Sequence, residues 1–528
     1  MSAAAPLKGL ECRGTSPVTV DEARDSEEDY VKRWAQDKAM NAFVKRLYQH
    51  QDQIEALIRH HLQLHNEEVT IAPIEKSMYG TFNFCIPIHV KYSHTYQSFM
   101  FRCPMPQKLA EAQYAGTVNE KMGCEVGAYV WMQEKCPNIR IPYLYGFGFA
   151  DGRYYTHETQ RPWYVRYPHA IRRYLYSLFQ RPMLSRYTPH PAADIDFPIS
   201  YMLLEYIGPD VGQMLSRTWN SFRNDPLRKR NLFRSISQII LSLAHIPQAC
   251  IGSFRFLESG VITLTNRPLT SSIISLENED AERTIQSNQV YHSTEDFVAD
   301  IYQLHDNAFI SNPNAAYDDD ECYSHMAARA SLRAISHNFI KKERRNGPYF
   351  LQYTDLTRSN IFVDDDWNIT CLLDLEWISA LPVEMIRVPH WLSGCDLIDG
   401  LTGDNLTNFT AVRQEFMHQF IQEESKMKME HDVSLTATIN EGWTSKSVWF
   451  WHTVNTGSRT LYPIVDSYIY DSFTVSAANV DKISGILSAL WRRDSAIIVR
   501  KNRDDYSRYI NEFEELVDKY GRPVAKLP

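Results

Sequence analysis

The chain has 528 residues, of which 44% are hydrophobic and 23% charged, a globular composition long enough for more than one folding unit. Its 55 Lys and Arg against 64 Asp and Glu give a net charge of −9, so no global positive field attracts nucleic acid or an anionic membrane. We therefore expect neither as a partner. Nine cysteines without a C-x-x-C pair, and no apolar run typical of a signal or membrane span, predict a cytoplasmic protein. The oligomeric state stays open.

The first two segments differ in periodicity. Residues 1–27 are polar and aperiodic, which predicts a disordered tail. Over 28–70, apolar residues recur at spacings of three and four, which predicts a helical extension. Of His60, His61 and His65 on this extension, His61 and His65 share a helix face, but no third ligand has suitable spacing. We therefore expect a solvated face and no metal site.

A small lobe of strands and one helix is predicted over 71–207. Alternating apolar residues over 82–90, followed by SFMFRC, predict a β-hairpin, and a helix lies within 108–135. Two more extended pieces, at 142–149 and 199–206, complete this lobe.

An insertion rich in Arg, Tyr and Pro, residues 151–197, interrupts the small lobe. Basic residues interleaved with aromatics can bind an anionic partner, but helical packing with snorkelling arginines is the favoured interpretation. Residues 208–528 are mainly helical in pattern and predict a larger, mostly α lobe.

One stretch in the larger lobe carries the chemistry: LQYTDLTRSNIFVDDDWNITCLLDLEWISALPVEM, residues 351–385. It contains two short apolar runs joined by a polar turn, which predicts an antiparallel hairpin. Because a hairpin brings its ends together, Asn360 and Asp374 should face one small volume near Asp355. Mg²⁺ takes oxygen ligands with only one or two carboxylates. Asp355 is then left to orient or deprotonate a hydroxyl, the arrangement that phosphoryl transfer needs.

A second cluster is predicted in the small lobe. Glu125 shares a helix face with Val118, Met122 and Tyr129, so its carboxylate lies in an apolar stripe. A buried carboxylate needs a cationic partner, and Arg102 in the strand FMFRCP is the candidate.

These motifs carry a family resemblance. TDLTRSNIFVD followed by LLDLEW resembles the H-x-D-L-x-x-x-N loop and I-D-W metal segment of aminoglycoside phosphotransferases and choline kinases, which share the protein-kinase fold. NIFVDDDWNITCLLDLEWISALPVEM, with IGSFRF and NRPLT, is most similar to the large fungal branch, over about 75–400. The family's His is Tyr353 here. The implied fold is α+β and bilobal: a small β-rich N-lobe with one key helix, a larger mainly helical C-lobe and a helical N-terminal extension.

The resemblance implies a role for each matching residue. Asp355 matches the catalytic Asp, and Asn360 and Asp374 match the magnesium ligands. Arg102 braced by Glu125 matches the pair that holds the nucleotide phosphates, with Arg in place of Lys. The other expected nucleotide contacts are in the phosphate-covering turn SMYGTFN and the hinge YMLLEYIG: Gly80, Asn83, Glu205, Tyr206 and Ile207.

We therefore expect Mg²⁺-dependent transfer of the γ-phosphate of ATP, with GTP left open, to a hydroxyl of a small molecule. Tyr353 and the long insertion support an alternative, a pseudokinase-like protein that binds nucleotide or a partner and transfers nothing. Phosphorylation of protein is less favoured because no A-P-E segment follows Asp374. Acids beyond the metal segment are expected, by analogy, to face a cationic acceptor: Glu376, Glu384, Asp396 and Asp399.

Overall fold

The computed structural model describes residues 8–93, 95–192, 195–456, 458–473 and 477–524. They form mixed α and β structure. The strands are β1 Lys8–Gly9, β2 Glu68–Ile71, β3 Met78–Tyr79, β4 Asn83–Tyr92, β5 Thr95–Pro104, β6 Leu144–Gly148, β7 Tyr154–His157, β8 Tyr187–Pro189, β9 Tyr201–Glu205, β10 Gln213–Met214, β11 Gly252–Phe256, β12 Ile262–Asn266, β13 Tyr349–Tyr353, β14 Ile361–Val363, β15 Ile369–Leu372, β16 Ile378–Pro382 and β17 Arg522–Pro523. The helices are α1 Val20–Arg24, α2 Tyr30–Gln49, α3 Gln51–Leu62, α4 Thr117–Lys135, α5 Trp163–Leu178, α6 Leu215–Phe222, α7 Pro226–Ala244, α8 Ser271–Asn278, α9 Thr294–Ser311, α10 Asp319–Ile335, α11 Gly403–Lys426, α12 Leu435–Thr444, α13 Ser447–Val454, α14 Ser458–Ile464, α15 Tyr470–Ser472, α16 Ala477–Trp491 and α17 Ser495–Tyr520.

The largest sheet has eight strands in the order β2-β4-β5-β9-β6-β7-β8, with β3 also paired to β4. The predicted hairpin is β4 and β5, and its register places Cys85 opposite Arg102. The apolar residues of β4 that alternate along the strand are fully buried, and α2 and α3 cover them with Leu47, Leu57 and Ile58. Burial of this face fixes the register of β4 with β5, and therefore the position of Arg102 on β5.

Helix α4 packs against a second sheet, of order β12-β11-β16-β13. A Cβ added at Gly127 would lie 2.5 Å from the Cβ of Phe254 in β11, so only glycine permits this close approach. The contact fixes α4, and with it Lys121 and Glu125, between the two sheets.

The rest of the chain is mainly helical, with a small sheet of order β10-β14-β15 inserted in it. The expected hairpin is β14 and β15, with Ile361 opposite Leu372. The last helix, α17, is continuous from Ser495 to Tyr520. Among the described residues, no helix combines the length and the apolar character that crossing a bilayer requires.

The predicted disordered tail is wrong for its described part, residues 8–27; residues 1–7 lie outside the described residues. β1 pairs with β17 at the other end of the chain, and α1 begins with a capping box between Thr19 and Glu22. Leu10 and Ala23 are buried against Phe513 of α17. The apolar residues of the tail are covered by a segment about 490 residues away, which local periodicity does not reveal.

The structure of residues 151–197 differs from the predicted insertion. Residues 154–157 and 187–189 are strands that extend the large sheet at one edge, so the segment is part of the sheet. Its helix, α5, buries none of its residues, so the favoured expectation of helical packing is wrong.

The solvated histidine face is wrong for His61, which is fully buried. Its Nδ1 and Nε2 lie 2.7 Å from the hydroxyl oxygens of Thr156 and Tyr201. Burial lowers the pKa of His61 well below its usual value, which keeps the ring neutral between its two hydroxyl partners.

Candidate active site

A buried network of ionised groups connects β5, α4 and the turn after β15. Arg102 on β5 donates through Nη1 to Glu125 of α4, and through Nη2 to Asp374 and Glu376 after β15. The Nη2 to Glu376 Oε2 distance is 3.0 Å. Three elements far apart in the sequence are therefore held together by one guanidinium, whose planar fork reaches several carboxylates at once.

Lys121 is the second cation of this network. It lies one helical turn before Glu125 on α4, and its Nζ donates to Glu125 Oε2 at 3.1 Å and to Asn83 Oδ1 at 2.7 Å. Its ammonium also pairs with Glu376. The side chains of Lys121 and Glu125 are each only 1% exposed. Charges this deeply buried are stable only because each one has opposite charges as neighbours.

Glu376 is the acid that both cations share. Burial alone would raise its pKa, but Lys121 and Arg102 outweigh burial and hold the pKa of this carboxyl below its usual range. Asn83 Nδ2 donates to Glu376 Oε2 at 2.7 Å. Glu376 is therefore ionised inside the protein, and the expectation that it faces an acceptor is wrong.

The hairpin β14 and β15 brings the predicted metal ligands to one end. Leu373 N donates to Asn360 O at 2.9 Å, so Asn360 lies across from the residue that precedes Asp374. Asp374 adopts a left-handed conformation, with φ 61° and ψ 56°, and its side chain is 35% exposed. A non-glycine residue in this conformation carries backbone strain, which is common at functional sites.

Asp355 lies beside Asn360. Asn360 Nδ2 donates to the backbone oxygen of Asp355 at 3.0 Å and to its carboxylate Oδ2 at 3.2 Å. Burial and, second, the charge of Glu376 raise the pKa of Asp355 to about 6. The Asp355 side chain is thus oriented by Asn360 and is mostly ionised at neutral pH, as a proton acceptor must be.

The donor set fits a divalent cation. The carboxylates of Glu125, Asp374 and Glu376 have oxygens within 4.8 Å of one another. Three carboxylates against Arg102 and Lys121 leave one negative charge in excess, and Asp355 adds another. Asp374 Oδ2 accepts no hydrogen bond from the described residues, and the Asn360 amide uses its nitrogen, not its oxygen, toward Asp355. One carboxylate and one amide oxygen suit Mg²⁺.

Of the expected nucleotide contacts, Asn83 is itself part of this network, because its amide nitrogen and oxygen are bound to Glu376 and Lys121. Gly80 is exposed in the turn between β3 and β4, and its own N–H donates to Asn83 O at 2.8 Å. After β9, Tyr206 and Ile207 form no backbone hydrogen bonds with the described residues, so their polar groups stay available. Glu205 is different, since its carboxylate binds Arg140 at 2.8 Å and the backbone N–H of Tyr143 at 3.1 Å.

Sequence reasoning missed Lys121 and the role of Glu376. The signal for Lys121 was present, because a lysine four residues before a buried glutamate lies on the same helix face. The signal for Glu376 was weaker. Nothing in LLDLEW distinguishes a buried glutamate from an exposed one until the position of Arg102 is known.

Comparisons with known proteins add a distant likeness. No family model matches the sequence. No curated protein matches it either. Among solved structures, an ethanolamine kinase of Plasmodium vivax is 13% identical with a TM-score of 0.34, and the alignment covers 81% of this chain and 85% of that one. A spectinomycin phosphotransferase in complex with ADP and spectinomycin is 10% identical with a TM-score of 0.29, over 83% of this chain and 98% of that one. Both neighbours are small-molecule kinases, and the family expected from the sequence stays a prediction.

Proposed function

We infer that the chain is a phosphotransferase that moves the γ-phosphate of ATP to a hydroxyl of a small molecule. The observation that carries this proposal is the contact of Asp355 with Asn360 at the end of the hairpin that also presents Asp374. A proton acceptor beside two oxygen ligands is the minimal machinery for phosphoryl transfer, since its loose transition state needs mainly positioning and cationic charge.

Each residue has one task in this scheme. Asp355 orients the acceptor hydroxyl and accepts its proton as the new O–P bond forms and the bond between the γ-phosphorus and the leaving ADP oxygen breaks. Asn360 Oδ1 and Asp374 Oδ2 would hold Mg²⁺, which when bound neutralises phosphate charge. Arg102 exchanges its contact with Asp374 for a phosphate oxygen, while Glu125 keeps the guanidinium in place. Tyr206 and Ile207 offer backbone groups to the adenine edge.

A cavity beside the Asp355 loop is a candidate site for the acceptor. Its volume is about 150 Å³, and its walls include Thr354 and Leu356, the neighbours of Asp355 on both sides. Arg387, His390 and Trp391 lie on the wall as well. A small polar metabolite therefore has room close to the proposed base.

Arg387 favours an acceptor that carries an anion as well as a hydroxyl. It forms no hydrogen bond or ion pair with the described residues, and burial lowers its pKa to about 10, so it stays charged at neutral pH. Two acids near Arg387 in sequence have other cationic partners: Glu384 lies 3.8 Å from Arg344, and Asp396 pairs with Arg358. Arg387 is partly buried on the cavity wall, and because an unpaired cation there is incompletely solvated, a carboxylate or phosphate on the acceptor would stabilise it.

The expected cationic acceptor therefore lacks support. Glu376, Glu384 and Asp396 are paired with cations, and Asp399 is not on the cavity wall. The acceptor we propose is instead a hydroxylated, anionic metabolite.

A second candidate is a nucleotide-binding protein without transfer. The observation that favours it is the Arg102 contact with Asp374, because this ion pair occupies one oxygen of the proposed metal ligand. The two functions make the same prediction for ATP binding and opposite predictions for turnover.

The test is a screen of hydroxylated metabolites, anionic ones included, with labelled ATP and Mg²⁺. Wild-type protein should label an acceptor, and Asp355→Asn should not. Calorimetry of ATP binding is run in parallel with and without Mg²⁺. Magnesium-dependent binding without labelled product from any acceptor would favour the second candidate, and absence of nucleotide binding would contradict both.

A further inference from the structure

Helix α5, Trp163–Leu178, turns its apolar side away from the protein. It buries none of its residues. Eight large apolar side chains on the helix and at its end are each at least 42% exposed: Trp163, Tyr164, Tyr167, Ile171, Tyr174, Leu175, Leu178 and Phe179. Isolated exposed apolar residues are normal, but a contiguous set on one helix marks an interaction surface.

The side of α5 that faces the protein is polar. His169 Nε2 lies 2.8 Å from the backbone oxygen of Ser185. Arg173 binds Glu134 and Glu158, both at 3.2 Å. These contacts fix the rotation of the helix about its axis. A helix that only had to complete the fold would be oriented the other way, with its apolar residues inward.

The shape of the apolar face selects a flat partner. At about 100° per residue, the eight exposed side chains cover an arc of about 160° around the helix axis. A single partner helix contacts a narrower seam, formed by two positions in each heptad. A flat surface contacts the whole arc at once, as it does for helices that lie in a membrane interface.

The charge around this face selects an anionic surface. Residues 160–182 contain five arginines and no Asp or Glu, and Arg166, Arg172 and Arg181 are exposed. Two copies of α5 packed together would bring arginines near one another without any acid on the helix to compensate. Trp and Tyr, which make up half of the apolar arc, are the side chains that favour the boundary between headgroups and acyl chains.

We propose that α5 attaches the protein peripherally to an anionic phospholipid surface, with its aromatic face in the interface and its arginines at the headgroups. This replaces the expectation from net charge that a membrane is not a partner, because the charge of one helix differs in sign from that of the whole chain. Membrane attachment does not depend on the phosphotransfer.

The experiment is co-sedimentation of the full chain with vesicles of phosphatidylcholine plus phosphatidylserine, compared with phosphatidylcholine alone. Wild-type protein should bind the anionic vesicles, and binding should weaken as salt is raised. Ile171→Asp should lower the partition coefficient about tenfold or more, since a carboxylate enters the centre of the apolar face. Arg166→Gln and Arg172→Gln should each lower it about fivefold.

Leu490→Asp is the matched control, because Leu490 is 73% exposed on α16, away from α5 in sequence, and should leave vesicle binding unchanged. Far-UV circular dichroism checks that each variant is folded. We expect the α5 variants to fold because this helix buries no residue. No binding to anionic vesicles at low salt, or equal binding by Ile171→Asp and wild type, would overturn the proposal. So would a dimer that Ile171→Asp dissociates in sedimentation velocity without any vesicle binding, since a second copy would then cover the face.

Discussion

The hydroxyl of Tyr353 donates a shared hydrogen bond to two backbone oxygens, that of Leu373 at 2.6 Å and that of Asp374 at 2.9 Å. Tyr353 stands where the resembling family has His. Asp374 adopts a left-handed conformation, so its backbone needs external support to keep the carboxylate in place. Tyr353 thus supports the backbone of the proposed metal ligand Asp374. The replacement of His by Tyr353 is therefore a weaker argument for lost activity than the sequence alone suggests.

We predict that Tyr353→Phe lowers turnover about tenfold or more, since groups that orient metal ligands contribute about 10–100-fold. The magnesium concentration for half-maximal rate should rise, while unfolding free energy falls by only about 1 kcal/mol. Steady-state rates over a Mg²⁺ titration test this. Tyr509→Phe is the control, because its hydroxyl likewise donates to a backbone oxygen, that of Glu28 at 3.0 Å. Equal effects of the two variants on the Mg²⁺ titration would contradict this supporting role of Tyr353.

Asp355→Asn should lower turnover by ~10²-fold or more and leave the dissociation constant of Mg·ATP nearly unchanged. The amide keeps the size of the side chain but cannot accept the proton. Single-turnover rates and calorimetry separate the two effects. Asp365→Asn removes a carboxylate from the exposed turn at the other end of the same hairpin, between β14 and β15, and should keep the wild-type rate. A turnover as high as that of wild type in Asp355→Asn would remove the proposed base.

The local sequence pattern was sufficient to predict the elements that bury only one face. The alternation in β4 and the two short runs of β14 and β15 predicted both hairpins, since period and turn residues fix them locally. The Arg102 contact with Glu125 followed from the cost of an unpaired buried acid.

What depends on distant contacts could not be predicted. Leu10 is buried by α17, and Glu376 is buried because Arg102 lies opposite it, although each looks exposed in its own segment. The polar side of α5 faces the protein because Arg173 forms ion pairs with Glu134 and Glu158 on the neighbouring surface. A helical pattern gives the apolar face but not the direction in which it points.

Lys121→Met should destabilise the protein by about 3–5 kcal/mol, because Glu125 and Glu376 would then share Arg102 as their remaining cation. Urea unfolding followed by circular dichroism measures the change. Lys446→Met is the control: Lys446 pairs with Asp471, but the two side chains are 50% and 70% exposed, so the loss should be about 1 kcal/mol or less. Similar losses in the two variants would contradict the proposed importance of the buried network.

Arg387→Gln should raise KM for the acceptor about tenfold or more while leaving KM for ATP and the turnover number close to wild type. The arginine is expected to contact the acceptor's anion in the ground state and the transition state alike, which changes binding and not the chemical step. Assays with the acceptor from the screen and with an analogue that lacks the anion test this. Wild type should lose affinity for the analogue, and the variant should not distinguish the two. A variant that still prefers the anionic compound would contradict the assignment.

Stability should fall as the pH drops below about 6.5, because several buried histidines are held neutral in the folded protein. Burial lowers the pKa of His157, His305 and His325 to about 3, whereas the unfolded chain binds a proton near pH 6.5. Between these values the unfolded state carries more protons, so each such histidine removes up to about 1.4 kcal/mol per pH unit as the pH falls.

His325→Phe isolates one of these contributions. The histidine ring stacks on Tyr462 at 4.9 Å and is 2% exposed, so phenylalanine keeps the stacking and cannot be protonated. Urea unfolding between pH 7.5 and 5.5 should give a mean slope of stability against pH that is shallower than wild type by about 0.7 kcal/mol per unit, because the unfolded histidine is on average half protonated over this range. The exposed His65→Gln is the control for removing a histidine. A slope unchanged in His325→Phe would show that His325 is already protonated in the folded protein, since only then does its replacement leave the proton balance of unfolding the same.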